Sequence, residues 1–364
     1  MNIWFLQAHD KMHWTPEVLA AANTPALGGR IGGAEAMTIG LCRYLQRLGH
    51  DVTLWSTQVP TYDAVYAGLR WRRVERLFRL ALLTEPHPDV IVSIRQPEVF
   101  GLPELVSSPS IRVLWAHDVL MEWQQPYLHL MDHAVFMSEW HRENYGIETP
   151  YTVSPVAYDP AWLPTEPVER PRTNFLYGSC PERGLQALLA MWPTIRQRVP
   201  GATLTVTGYQ ATFTEEASRW MAETHARVGG IRMARSDDKT GFYRELMGAR
   251  LLLYPGVEFL ETNGHVATAA VICGALPLLS RLGALPETCP AAMFFDGDAH
   301  SPLYQAAYID AVVRWSQPEQ DAELAERIQS HRDAASVACA FASVAALWDR
   351  MLMTLRRRHL EIAS

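Results

Sequence analysis

The sequence predicts an α/β protein of two similar halves, each a parallel sheet covered by helices, and three observations carry that expectation. Short apolar runs alternate with stretches of helical periodicity in both halves. A proline-dense segment divides the chain near its middle, and 364 residues is long for a single hydrophobic core.

Ile3–Gln7 reads as a buried strand. Gly28, Gly29, Gly32 and Gly33 then open a helix whose apolar positions Met37, Leu41, Leu45 and Leu48 recur at helical spacing. Gly49 ends it and Asp51–Trp55 supplies the next strand, with Val90–Ile94, Ile111–Trp115 and Ala134–Met137 as further strands. The second half repeats the design. Phe175–Tyr177 leads through Gly184 to a helix with Leu185, Leu188, Leu189, Trp192 and Ile195 on one face, followed by the strand Ala202–Thr207. Pro193 has no N–H to give that helix, so a kink or an early end is expected there. Prolines at 155, 160, 164, 167 and 171 exclude a continuous helix or a central strand and mark the connection. The expected division is a first Rossmann-like domain over 1–155, a linker over 156–172, a second domain over 173–340 and a C-terminal amphipathic helix over 341–364 that packs back on the first domain. Two such domains would face each other and hold ligands in the cleft between them.

Composition narrows the function class. Apolar residues make up 48% and charged residues 20%, ordinary for a soluble enzyme, and a net charge of −7 argues against a general nucleic-acid binder. The N-terminus lacks a basic lead and an apolar run, and Val266–Ser280 is too short for a membrane span, so a cytoplasmic location is expected. The five cysteines are scattered without a CxxC pair and read as small buried apolar residues. His9 and His13 lie four apart with no carboxylate arrangement to fix a metal, and no metal site is expected. Arginines 70, 72, 73, 76 and 79 alternate with Leu69, Trp71, Val74, Leu77 and Phe78, which suggests a solvated helix face, or else a contact with an anionic acceptor or a membrane surface.

The most informative stretch is Leu251–Thr288. A strand, Leu251–Tyr254, enters a loop containing Glu261, Thr262, Asn263 and Gly264, and a small-residue helix, Gly274, a second strand and the turn Leu282-Gly283-Ala284 follow. A helix starting at such a strand end leaves its first N–H groups uncovered, a natural phosphate site. A carboxylate beside it repels the anion, so Glu261 is expected to accept hydrogen bonds from hydroxyls attached to the phosphate, as in a nucleotide sugar.

This stretch resembles the donor-binding signature of the retaining family-4 glycosyltransferases with the GT-B fold: a loop Glu, a second Glu eight positions on, and a Gly five positions later. Glu261 and Gly274 match, and Ala269 stands at the second Glu. Gly32, Gly33 and Glu35 match the family's GGxE loop, which borders the acceptor and the donor phosphates. Arg183-Gly184 matches its Lys-Gly, with Gly178 where an Arg is usual and Arg281 or Arg30 as candidate substitutes. His117, at a strand end, matches the histidine that touches the donor sugar near the reacting carbon, with Asp118 orienting its ring or capping a helix. Met137-Ser138-Glu139-Trp140 resembles the serine segment before the linker, and Leu285-Pro286-Glu287 completes the match.

The resemblance implies a GT-B fold of two Rossmann-like domains and a retaining, metal-independent, hexosyltransferase-like glycosyltransferase. Glu261, His117 and Arg183 would be catalytic. Gly32, Gly33, Thr262, Asn263, Gly264, His265, Val266 and Ala269 would hold the donor, with Glu35 and Asp118 on the acceptor side. The co-substrate would be a nucleotide sugar, UDP- or GDP-linked first of all, with no other cofactor. The acceptor stays open among a glycan, a lipid-linked sugar, a natural product and a nucleic acid, as do peripheral membrane contact and oligomeric state. Ala269 and Gly178 keep two alternatives alive: a non-catalytic sugar-nucleotide-binding homologue supporting a partner enzyme, and an epimerase or phosphorylase on the same fold.

Overall fold

The computed structural model describes residues 1–7, 33–56, 63–66, 68–208, 214–235 and 239–363. Gly28, Gly29, Arg30 and Gly32 of the glycine loop, and His9 and His13, lie outside them. The chain forms two compact units, Met1–Asp159 with Ala338–Ser364, and Pro160–Val337.

Unit 1 runs β1 (Asn2–Gln7), α1 (Gly33–Arg47), β2 (Asp51–Ser56), β3 (Asp63–Tyr66), β4 (Leu69–Arg73), α2 (Glu75–Thr84), β5 (Val90–Ile94), α3 (Pro103–Val106), β6 (Ile111–Trp115), β7 (His133–Phe136), α4 (Glu139–Tyr145) and β8 (Tyr151–Val153). Among the described residues these strands form an eight-stranded sheet in the order β3-β4-β2-β1-β5-β6-β7-β8, parallel except for the β3–β4 pair. Strands covered on both faces read as unbroken apolar runs, and β5 (VIVSI) is buried at every position. The two-residue period of β1 sends alternate side chains to opposite faces. On one, Trp4 meets Trp55 with ring centroids 4.9 Å apart, and Trp55 meets Phe78 at 5.2 Å. Phe5, its neighbour in sequence, instead packs 5.9 Å from Trp348.

Unit 2 runs β9 (Asn174–Tyr177), α5 (Leu185–Arg198), β10 (Thr203–Gly208), α6 (Glu215–Val228), β11 (Ile231–Arg235), α7 (Lys239–Gly248), β12 (Leu251–Tyr254), α8 (His265–Cys273), β13 (Leu276–Ser280), α9 (Leu285–Thr288), β14 (Met293–Phe295), α10 (Pro302–Trp315) and α11 (Asp321–Ala338). Its described strands form a parallel sheet in the order β11-β10-β9-β12-β13-β14. Arg170, in the proline-rich stretch, is fixed to this unit by backbone carbonyls: Nε donates to Met247 O at 2.8 Å, Nη1 to Gly274 O at 2.6 Å and Nη2 to Cys273 O. The last helix, α12 (Phe341–Ala363), returns to unit 1, where Trp348 Nε1 donates to Ser154 Oγ at 3.0 Å and Asp349 pairs with His50 at 2.9 Å.

Four expectations are corrected. The arginine-rich stretch is not one helix: Leu69–Arg73 is strand β4 and α2 begins at Glu75. Leu69 and Trp71 of β4, which pairs with β2 and β3, are buried, and Arg70 and Arg72 take carboxylate partners, Asp63 at 2.6 Å and Glu85 at 2.7 Å. Arg72 also stacks 4.4 Å from the Trp55 ring. Leu48 falls beyond the end of α1 and is 50% exposed. Pro193 does not end α5 early: the helix runs on to Arg198, and Trp192 Nε1 to Gly229 O and Arg196 to Val228 O and Ala202 O tie it down on both sides of the missing N–H. Cys180 is only partly buried, unlike the other four cysteines. Among the described residues no helix is long and apolar enough to cross a membrane.

The packing of α12 on α1 requires a glycine. A Cβ at Gly40 would overlap the Phe341 ring, so Gly40→Ala should destabilise the protein by about 1–3 kcal/mol in urea unfolding, with Phe341→Leu in the same background recovering part of the loss. Burial pulls His133 and His141 down to about 4. The unfolded chain takes up their protons from about pH 6.5 downward, whereas the folded chain does so only near pH 4. Their contribution is therefore complete above pH 6.5 and is lost on acidification. The melting temperature should fall between pH 6.5 and 4, and less steeply for His133→Gln.

Candidate functional site

In unit 2 the chain proceeds from β9 to β10 on one side of the sheet, whereas β12 and β13 lie on the other, so strand order reverses between β9 and β12. Connections leaving in opposite directions open a crevice at the carboxyl ends of such strands. The loops leaving β9 and β12 carry Arg183 and Glu261, which meet there although 78 residues separate them. The Glu261 carboxylate is largely buried, and both its contacts use one oxygen. Oε1 accepts from the Tyr254 hydroxyl at 2.7 Å and from Arg183 Nη1 at 3.1 Å, while Oε2 has no partner among the described residues. The Arg183 guanidinium also lies over the Phe259 ring, 3.6 Å from its centroid. That bond uses one of the five N–H donors of Arg183, which leaves it able to take an anion's oxygens as well.

Backbone contacts hold this loop in place. Gly184 has φ +125, and a Cβ there would run into the Pro255 carbonyl. Gly283 has φ +57, and its Cβ would come within 2.7 Å of Glu261 N, while Ala284 N–H donates to Glu261 O at 2.7 Å. Among the described non-glycine residues, only Arg95 (φ 70) and Glu258 (φ 52) are left-handed, and both sit in strand-end loops. Such strain persists where the surroundings over-determine the backbone, as at ligand sites.

Helix α8 begins at this point, with Gly264 as N-cap and Gly264 O accepting from Ala267 and Thr268. The N–H groups of His265 and Val266 precede any intrahelical acceptor, an arrangement suited to an anion. Burial, with Lys239 as the lesser cause, draws the His265 imidazole down to about 4, so it is neutral at pH 7; its enclosed Nδ1 has no partner among the described residues. Asn263 is buried, its carbonyl accepting from the Thr288 hydroxyl at 2.5 Å, and Thr262 is partly buried beside it. Ala269 lies in the second turn, 2% exposed. A Cβ at Gly178 would stand 2.7 Å from Val266 Cγ2, so a side chain at 178 would require Val266 to shift. Arg281 pairs with Asp296 at 2.9 Å.

Unit 1 gathers its own set at strand ends. Its order reverses between β1 and β5, and Gln7 ends β1, Arg95 follows β5 and His117 follows β6. Burial holds His117 well below its ordinary value, aided by the positive charge of Arg95 and by His141, so the ring is neutral. Asp118 neither orients that ring nor caps a helix. Its carboxylate lies 3.1 Å from Arg95 Nε, and its carbonyl accepts from His141 Nε2 at 2.8 Å and from the Tyr145 hydroxyl at 3.3 Å. Ser138 caps α4, accepting from His141 N at 3.0 Å, in keeping with an architectural role. Gly33 opens α1, and Glu35 is buried in its first turn.

The structure thus brings Glu261, Arg183, Thr262, Asn263, Gly264, His265 and Val266 together in unit 2 and places His117, Asp118, Gly33 and Glu35 in unit 1. Sequence reasoning missed Tyr254, Phe259, Gln7 and Arg95. Tyr254 and Gln7 had a visible signal, a polar group on the last residue of an apolar strand; Gln7 is 3% exposed with neither amide atom partnered among the described residues.

No family model and no curated protein matches the sequence. Solved structures match the fold across its length. An α,α-trehalose 6-phosphate synthase from Burkholderia multivorans aligns with a TM-score of 0.71 at 13% identity, covering 100% of this chain and 98% of that one. A sucrose-phosphate synthase from Thermosynechococcus elongatus gives 0.68 at 14%, covering 100% of both. Anabaena HepE in complex with UDP-glucose gives 0.67 at 14%, covering 97% of this chain and 100% of that one. Two parallel-dominated sheets with their helices, in the arrangement of these glycosyltransferase structures, give this chain the GT-B fold.

Proposed function

We propose that the protein is a retaining, metal-independent glycosyltransferase that takes a hexose from a nucleotide sugar, UDP- or GDP-linked. The observation that carries this reading is the meeting of Arg183 and Glu261 beside the head of α8, at the strand-order reversal of unit 2. The HepE structure named above was determined with UDP-glucose, which supports a nucleotide-sugar donor on this fold.

On this reading the bond from the anomeric carbon to the diphosphate oxygen breaks, and negative charge grows on the leaving group. Arg183 and the first N–H groups of α8 stabilise that charge without a metal ion, the backbone groups from fixed positions as preorganised donors do. Glu261 accepts a hydrogen bond from a sugar hydroxyl. The neutral imidazole of His117 offers a hydrogen bond to the sugar without adding charge. The acceptor hydroxyl attacks from the face the diphosphate leaves, and its proton passes to the departing phosphate oxygen. No carboxylate nucleophile is needed.

A second reading, a non-catalytic sugar-nucleotide-binding homologue, is favoured by Ala269 and Gly178, each standing where the resembling family has a ligand-binding side chain. Thermal shift with UDP-glucose, GDP-mannose, ADP-glucose and dTDP-glucose identifies the donor, because a ligand bound only by the folded state raises its stability. Product analysis then separates transfer from isomerised donor and from no turnover.

Glu261→Gln keeps the volume and removes the charged acceptor, so turnover should fall at least about 100-fold with the fold intact; unchanged turnover would remove Glu261 from the site. Activity should persist in EDTA, whereas a strict Mn²⁺ or Mg²⁺ requirement would overturn the metal-independent route.

A further inference from the structure

The Glu261 carboxylate has two donors on one oxygen, Tyr254 at 2.7 Å and Arg183 at 3.1 Å. The two differ in freedom. Tyr254 ends β12, its side chain is 1% exposed, and its ring packs edge-on to Tyr177 with centroids 6.1 Å apart, so its hydroxyl cannot follow a moving partner. Arg183 lies on a short 3-10 turn ahead of α5, with 29% of its side chain exposed and four further N–H donors.

We propose that Tyr254 is the positioning residue that keeps Glu261 aimed at the donor sugar while Arg183 turns from Glu261 to the donor diphosphate. The proposal rests on the transferase reading above and adds an ordered exchange of partners to it. In the free protein Arg183 and Glu261 neutralise each other. A diphosphate carries more negative charge than a single carboxylate and offers oxygens in the spacing that a guanidinium takes two at a time, so it competes for Arg183. Were Arg183 the sole partner of Oε1, that exchange would leave a largely buried carboxylate oxygen unpaired, and the side chain would swing toward water. With Tyr254 in place Oε1 stays bonded, the carboxylate keeps its orientation, and Glu261 can take a sugar hydroxyl at the moment Arg183 leaves it. Tyr254 touches no substrate and acts only through Glu261.

This separates sugar recognition from nucleotide recognition, and the test reads both. For wild type, Tyr254→Phe, Glu261→Gln and the double variant, calorimetry gives the affinity for the nucleoside diphosphate and for the nucleotide sugar that shifts the wild type most. Hydrolysis of that sugar, in which water takes the place of the acceptor hydroxyl and nucleoside diphosphate is released, gives kcat and KM. Tyr254→Phe should bind the nucleoside diphosphate within about 3-fold of wild type, lose at least about 10-fold in its preference for the nucleotide sugar, and lose about 10- to 100-fold in kcat, the span expected for one hydrogen bond to a charged group. In the Glu261→Gln background the same change should cost less than about 2-fold, because the group through which Tyr254 acts is already gone. A merely structural tyrosine would lower the melting temperature and weaken both ligands alike, in both backgrounds, and that pattern overturns the proposal. So does a Tyr254→Phe protein matching wild type in kcat and sugar preference, in which case the transferase reading stands. A wild type that binds none of the nucleotide sugars removes the transferase reading itself.

Discussion

The constraint on which the candidate site depends is the close approach of three backbone segments at the carboxyl ends of β9, β12 and β13. Gly184 fits against the Pro255 carbonyl and Gly283 against the backbone of Glu261, where no side chain fits. Each contact ties a different strand's exit loop to Pro255–Gly264, so Glu261 is positioned by the sheet itself. Arg183 inherits the same register, because it precedes Gly184 directly. Backbone anchored at the strand exits of a buried parallel sheet moves little, which on the proposed reading is what stabilising charge in a transition state requires. The left-handed Glu258 fits this view, since a strained residue endures only where neighbours leave the backbone no alternative.

Unit 1 shows a related economy with charge. His117, His133 and His141 are all held neutral at pH 7, mainly by burial. Two of them have visible structural roles: His133 Nε2 is 2.9 Å from the Thr152 hydroxyl, joining β7 to β8, and His141 is bonded to the Asp118 carbonyl. His117 differs in its place, at the exit of β6 near the strand-order reversal, with Arg95 close enough to oppose its protonation. A neutral imidazole next to a guanidinium offers hydrogen bonding without repelling that cation. The pairing of Arg95 with Asp118 then balances the charge locally at 3.1 Å.

Much of this was legible in the sequence because parallel strands buried on both faces announce themselves as unbroken apolar runs, as in Val90–Ile94, Ile111–Trp115 and Leu251–Tyr254, which coincide with β5, β6 and β12. The loop from Glu261 to Val266 was legible for a related reason: a strand, a small polar loop and a small-residue helix in succession leave few alternatives. The arginine stretch was misread because a mixture of charge and bulk suits both a helix and a strand. What decides between them is a partner distant in sequence, here β2 together with Glu85, which no local pattern contains. Pro193 misled for the opposite reason. Its local penalty is real, but Trp192 and Arg196 bond to residues far along the chain and outweigh it. Tyr254 escaped notice because an aromatic ending an apolar strand is usually core, and its ring is; only its hydroxyl belongs to the site.

The two positions at which the sequence differs from the pattern it resembles, 178 and 269, differ in physical standing. At 178 the absence of a cation is coupled to packing: the position abuts Val266, so a side chain there would require Val266 to shift. Position 269 is instead a choice of chemistry within fixed geometry, a methyl group 2% exposed on a helix whose neighbours Ala267, Ala270 and Val271 are equally enclosed. A carboxylate introduced there would need ligand hydroxyls to repay its desolvation, and without a ligand it would be an unpaired charge in an apolar setting. On the proposed reading Arg183 answers both Glu261 and a diphosphate. A single cation serving two anions in turn requires that the one it leaves keep another donor, which returns the weight of the site to the strand end that carries Tyr254.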